Sequence, residues 1–237
     1  MTIFSQAEID LLSQGEIEIE GRLVDASNAT LVGTIASVND SPFRVVYKPI
    51  AGERPLWDFP NGTLAAREVA AFHISRSLSF DCVPPTVLRE GPFGPGAVQR
   101  WIDIDPTVDI IEIGQSQSPA IRKLALFDAV VNNTDRKFGH ILPALNGEIY
   151  GCDHGVTFHV DDKLRTVLWQ FAGDELSEEE RRALIELSSR IKEDDVLQDL
   201  LDDEEISALN DRIARLLNDG HFPYPNEEWP AVPWPPV

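Results

Sequence analysis

Hydrophobic and polar positions divide the chain into a strand-rich first part and a helix-rich second part. Residues 6–14 follow Ser5, with Glu8 at the capping-box position, and predict a short helix. Alternating or β-branched residues then cluster at Glu16–Val24, Ala29–Val38 and Arg44–Tyr47, with Asn39-Asp40-Ser41-Pro42 as the clearest turn between them. This predicts an antiparallel meander whose last strand ends on Lys48. After the Pro/Gly-rich stretch Pro49–Gly62, Leu64, Ala71, Phe72, Ser75 and Leu78 recur at helical spacing and predict a helix from Thr63 to Leu78. Val83–Arg89 and Gly96–Ile102 read as two further strands around the turn Glu90–Pro95.

From Pro119 onward the period changes. Ile121–Asn132 predicts a helix burying Leu124, Phe127, Ala129 and Val131, followed by a polar loop and short strands at Ile141-Leu142 and Glu148–Cys152. Helices are expected at 178–190, behind a Ser177/Glu180 capping box, and at 195–201 and 203–218. No internal repeat is visible. The order predicts an α+β, two-lobed chain. An antiparallel β lobe with one helix spans 1–103, a mainly helical lobe spans 104–221, and a Pro/Trp-rich tail spans 222–237, with a cleft between the lobes. The tail reads as extended, polyproline-like chain whose tryptophans pack on the domain.

Composition narrows the classes. A chain of 237 residues with 43% hydrophobic content can bury a core without disulfides or a structural metal. Its two cysteines, Cys82 and Cys152, are far apart and form no metal-ligand spacing, so a reduced cytoplasmic protein is the simplest expectation. No basic-then-apolar leader opens the chain, and no apolar run reaches the roughly 18–20 residues of a membrane span. The net charge of -20 argues against nucleic acid and against stable membrane association. Most of the acidic runs lie in the last third and read as solvated helix faces. Oligomeric state is silent.

Three segments carry chemistry. Phosphoryl transfer needs a cation on the nucleotide phosphates, a carboxylate holding metal and a carboxylate at the attacking hydroxyl. Lys48, ending an apolar strand, can reach α/β-phosphates, and Glu68 on the next helix can hold it by an ion pair. The loop Asn132–His140 combines amides, a carboxylate, two cations and a histidine between an apolar helix and an apolar strand. There Asp135 would orient or deprotonate the acceptor hydroxyl, and Lys137 or Arg136 would offset charge on the transferring group. Asp153-His154-Gly155 directly follows a strand, so Asp153 is set to bind metal while Gly155 lets the chain turn sharply. Singly, each segment is equally an ordinary surface lysine, helix-to-strand turn or Asx turn. The ordered set is what points to a kinase.

Tyr47-Lys48-Pro49, Asn133-Thr134-Asp135-Arg136 and Cys152-Asp153-His154-Gly155 resemble segments of type II phosphatidylinositol 4-kinases, within the wider group that includes HipA-like and Fam20-like kinases. Arg67–Ala70, Val83–Thr86 and Val98–Ile102 also fit in order, so the resemblance spans roughly residues 20–175. The whole chain resembles an uncharacterised actinobacterial family described only as phosphatidylinositol 3-/4-kinase-related. The resemblance implies a protein-kinase-like (atypical kinase) fold, ATP with Mg²⁺ or Mn²⁺, and an unidentified hydroxyl acceptor. It makes Lys48 and Glu68 the phosphate-binding pair, Gln99, Arg100, Trp101 and Ile102 the hinge facing adenine, Asp135 the catalytic aspartate and Asp153 the metal aspartate.

Three departures qualify this. His140 stands five after Asp135, where related kinases carry a metal-binding Asn; histidine can take that metal-ligand place beside Asp153, but Mg²⁺ prefers oxygen, which bears on metal choice and catalytic rate. No glycine-rich phosphate loop is present; Asp25–Thr30, with Ser27 and Asn28, is the only candidate. The cysteine-rich membrane-anchoring insert of the lipid kinases is absent, which argues against a phosphoinositide. Nucleotidylyl transfer on the same fold, or a catalytically weak nucleotide-binding interaction module, are the alternatives. Trp57 is expected either in the core or as a flap at the cleft mouth, and His73, His159 and His221 as packing or surface residues.

Overall fold

A computed structural model describes residues 4–23, 28–36 and 42–237. Helix α1 (Gln6–Gln14) forms with the expected Ser5/Glu8 capping box. Strands β1 (Ile17–Arg22), β2 (Leu31–Ile35), β3 (Phe43–Pro49), β4 (Thr86–Gly91) and β5 (Gly94–Arg100) build one antiparallel sheet in the order β1-β2-β3-β5-β4. In β3 the side chains of Val45 and Tyr47 are buried while those between them are less so, the alternation that sets Lys48 on the other face from Tyr47. The β4–β5 hairpin turns on Pro92-Phe93 alone, tighter than the sequence suggests, because Gly94 adopts φ +92°.

Helix α2 (Leu64–Ser77) crosses the sheet and is buried on most sides, Arg67 and Glu68 included. Glu53 replaces a side-chain cap at its start by accepting from the N–H groups of Leu64 and Ala65. Arg67 bridges the two parts of the molecule, donating to the Thr157 carbonyl at 2.7 Å and pairing with Glu205.

The rest is mainly helical: α3 (Ile110–Gly114), α4 (Pro119–Val131), α5 (Glu178–Arg190), α6 (Asp195–Leu200) and α7 (Asp203–Asp219), with a small hairpin of β6 (Ile141–Pro143) and β7 (Ile149–Gly151). The short α3 was not legible in the hydrophobic pattern. It is one and a half turns long, capped by Asp109. α4 runs through the centre, with Leu124, Leu126, Phe127, Val130 and Val131 buried in the larger core. Asn132 ends it in the left-handed region at φ +52°, so its side chain can bond the carbonyls of His159 and Asp161.

Cys82 and Cys152 are free, and burial pushes both thiols up to about 12, leaving them unreactive at neutral pH. Among the described residues no helix is long and apolar enough to cross a membrane.

Candidate active site

Where the sheet meets the helical part, a cavity of about 880 Å³ opens. That is toward the upper end of small-molecule sites, roughly 300–1,000 Å³. β3 brings Lys48 to it, α2 brings Glu68, the loop after α4 brings Asp135, and the turn after β7 brings Asp153. The Lys48 ammonium pairs with Glu68 and lies 2.9 Å from Asp153. The second Glu68 oxygen accepts the N–H of His154 at 3.0 Å, so one buried carboxylate fixes both the lysine and the Asp153 turn. Burial works against a charged Lys48, but Asp153 and Glu68 outweigh it and hold its pKa above the ordinary lysine value. The same ammonium, against a smaller opposing effect of burial, holds Asp153 well below the usual carboxylate range.

Asp153 sits at φ +61°, a conformation that costs a non-glycine residue energy and is kept only when its surroundings demand it. The sharp turn therefore falls on Asp153. Gly155 has an ordinary φ, and its small size matters for packing: a Cβ there would come within 3.3 Å of Leu64 on α2.

The loop after α4 has two faces. Asp135, Lys137 and His140 line the cavity, with the Lys137 ammonium 3.2 Å from Asp135. Asn133 braces the loop, accepting the Asp135 N–H at 3.0 Å and donating to Asp128 at 3.0 Å. Arg136 faces inward, contrary to its expected place beside the transferring group. It is fully buried, pairs with Asp128 at 2.8 Å, and donates to the carbonyls of His140 and Cys152 and to His154 Nε2. Its charge is consumed in bracing the loop.

His140 Nε2 lies 3.4 Å from Asp153 Oδ2. Burial lowers the His140 pKa, against the opposing pull of Asp153, so the imidazole is neutral at neutral pH and able to ligate. His140 Nδ1 is buried without a hydrogen-bond partner. Among the described residues no three His, Cys, Asp or Glu form a metal cage of their own. A carboxylate and an imidazole fit a divalent cation that takes its remaining ligands from phosphate and water.

On the sheet side, Asn28, Gln99, Arg100, Trp101 and Ile102 line the same cavity; Ser27 lies outside the described residues. Asn28 accepts the Arg54 N–H at 2.8 Å. Gln99 is buried and donates to Thr86 at 2.8 Å. The Arg100 guanidinium turns to the Arg44 and Trp101 carbonyls. No hydrogen bond among the described residues uses the backbone N–H or C=O of Ile102.

Cavity-lining Arg54, Arg165 and Trp229 escaped sequence reading, since each lies outside any motif. Trp57 is 85% exposed at the mouth, the flap position rather than the core. Trp57 and Trp229 flank the Lys163 ammonium at 4.9 and 5.0 Å, and Lys163 pairs with Asp58 at 3.1 Å.

No protein-family model matches the chain. Protein Rv2133c of Mycobacterium tuberculosis is 36% identical over 262 aligned positions, which cover 95% of this chain and 94% of that protein. The chain belongs to the family of that protein. This chain shares a fold with known kinases. The Golgi casein kinase superposes with a TM-score of 0.57 at 15% identity, over 91% of this chain and 75% of its own. The Fam20 protein of hydra, solved with a sugar, gives 0.52 at 16% identity over 92% and 89%. The proinflammatory kinase CtkA of Helicobacter pylori gives 0.50 at 13% over 89% and 94%. The fold is an α+β, kinase-like one.

Proposed function

We propose that the chain is an ATP-dependent phosphotransferase that moves the γ-phosphoryl group to a hydroxyl acceptor. The observation that carries this is the Lys48 ammonium held between Glu68 and Asp153, in one cavity with Asp135. A lysine so tethered is aimed and permanently charged, as a phosphate-binding cation must be. Asp135 and Asp153, on separate loops, then take separate tasks at the cavity.

In this reading the adenine lies between the sheet and the small hairpin, against Gln99–Ile102, where the unused backbone groups of Ile102 can bond its edge. Lys48 holds the α/β-phosphates. A divalent ion, when bound, would neutralise charge on the β- and γ-phosphates, and Asp153 with His140 would hold it. Asp135 accepts the acceptor's hydroxyl proton as the oxygen attacks the γ-phosphorus. The bond from the γ-phosphorus to the β,γ-bridging oxygen breaks, and ADP leaves with that electron pair. Lys137, 3.2 Å from Asp135, offsets charge on the transferring group, while Arg136 supports the loop from behind. The type II lipid-kinase resemblance contributes the order of these residues; the acceptor is not taken from it.

Position-specific labelling tests this. ATP labelled at the γ-phosphate should leave label on an acceptor drawn from a metabolite and peptide extract, and Asp135→Asn should lose that transfer. Label arriving from the α-phosphate would assign nucleotidylyl transfer instead. Equal transfer by wild type and Asp135→Asn would remove Asp135 from its role.

A further inference from the structure

Among the described residues, two guanidiniums that line the cavity, those of Arg54 and Arg165, have neither an ion pair nor a side-chain hydrogen bond. Each lining carboxylate is engaged: Glu53 caps α2, Asp58 pairs with Lys163, Glu68 and Asp153 hold Lys48, and Asp135 pairs with Lys137. What sets Arg165 apart from the exposed Arg54 is a half-buried side chain on the cavity wall whose Nε is buried without a partner.

Register fixes where Arg165 points. Residues 136 and 166 form a parallel bridge, with the Arg136 N–H donating to the Arg165 carbonyl at 3.1 Å and the Val167 N–H to the Arg136 carbonyl at 3.1 Å. Arg136 and Thr166 both turn inward onto Asp128. Strand alternation then sends their predecessors, Asp135 and Arg165, out together on the cavity side. Arg165 and Asp135 therefore line the same cavity, with no ion pair between them.

The tail limits what can approach. The Thr166 N–H donates to the Ala231 carbonyl at 3.0 Å, the Phe138 N–H to the Pro236 carbonyl at 2.9 Å, and the Trp169 indole to Ala231 at 2.8 Å. An extended polypeptide acceptor lying along these segments would need the backbone groups the tail already occupies. Trp229, two residues before Ala231, also lines the cavity.

We propose that Arg165 is the acceptor-anchoring residue, and that the acceptor is a small hydroxyl compound bearing a phosphate or carboxylate group, bound between Arg165 and Trp229. This deepens the phosphotransferase reading and rests on it for the word acceptor; the anion site itself does not. A guanidinium matches both anions through paired N–H groups.

The test separates the two. Wild type, Arg165→Gln, Arg165→Lys and Lys48→Met are first titrated with a non-hydrolysable ATP analogue and Mg²⁺. Inorganic phosphate, glucose 6-phosphate and an acidic serine peptide are then titrated calorimetrically into nucleotide-saturated and nucleotide-free protein. We expect phosphate and glucose 6-phosphate to bind wild type with nucleotide present, and Arg165→Gln to weaken both about tenfold or more. Arg165→Lys should recover part of the loss, and nucleotide affinity should be unchanged in Arg165→Gln. Loss of nucleotide binding in wild type would overturn the phosphotransferase reading, while Arg165-dependent phosphate binding to the nucleotide-free protein would still support the anion site. Equal phosphate binding in wild type and Arg165→Gln, no binding in either, or a nucleotide affinity that falls with Arg165→Gln would overturn the proposal. Arg165-dependent binding of the peptide alone would overturn its small-molecule half.

Discussion

The loop after α4 shows the same short sequence serving opposite physical ends on its two faces. On the cavity face Asp135, Lys137 and His140 keep partial exposure and loose pairings, 3.2 Å within Asp135–Lys137 and 3.4 Å between His140 and Asp153. On the inner face Arg136, Asp128, Asn133 and Thr166 are buried and mutually hydrogen-bonded, Arg136 reaching Asp128 through both Nε and a terminal nitrogen. Charge on the inner face is neutralised internally and braces the loop. Charge on the outer face is left available to a ligand. A buried pair is costly to break singly, whereas an exposed pair adds little to stability.

The sharpest way to break this contrast is to remove one inner partner. Asp128→Ala leaves the Arg136 charge buried and unpaired, and should cost about 3–5 kcal/mol of unfolding free energy in denaturant titration. Replacing both partners, Asp128→Leu with Arg136→Met, should recover most of that loss. A double variant as unstable as the single one would contradict the bracing role. On the outer face, Asp135→Asn should lower turnover about 10²–10⁴-fold with an unchanged melting temperature. A parallel loss of stability would mean that the two faces do not divide the work.

Acid provides a subtler probe. Burial lowers the pKa of both His140 and His154, and Arg136 and Lys48 lower the latter further. The unfolded chain therefore binds protons at these sites before the folded one does. Stability should fall as pH drops below the unfolded histidine value of about 6.5, by up to roughly 1.4 kcal/mol per pH unit for each histidine. His140→Asn should reduce the slope measured between pH 6.5 and 5 and leave the His154 contribution. An unchanged slope would show that His140 is not held neutral. Smallest of all, Trp57→Ala at the exposed mouth should shift unfolding free energy by no more than about 0.5 kcal/mol.

Much of the fold was legible because its elements carry local signals. The Ser5/Glu8 and Ser177/Glu180 capping boxes fall where the sequence puts them, and α2 and α4 match their apolar spacing to within two residues. α3 was missed because five residues carry too little periodicity. At the site, the strand-end lysine, the helix glutamate and the two aspartates were readable as an ordered set, and they do share a cavity. Arg136 and Arg165 were not assignable from sequence. Which of two arginines turns inward depends on a bridge between residues 136 and 166, thirty positions apart, and no local pattern reports that pairing. The tail's tryptophans looked alike, yet Trp229 lines the cavity and Trp234 is exposed.

The central claim is that Lys48 and Asp153 together hold a metal-bound triphosphate. Thermal unfolding of wild type and Asp153→Ala, with ATP in the presence and absence of Mg²⁺ or Mn²⁺, tests it most directly. Wild type should be stabilised by ATP with metal, approaching about 2.7 kcal/mol at a hundredfold excess over Kd, and Asp153→Ala should lose the metal-dependent part. Stabilisation that is the same with and without metal, or the same in both proteins, would contradict the account.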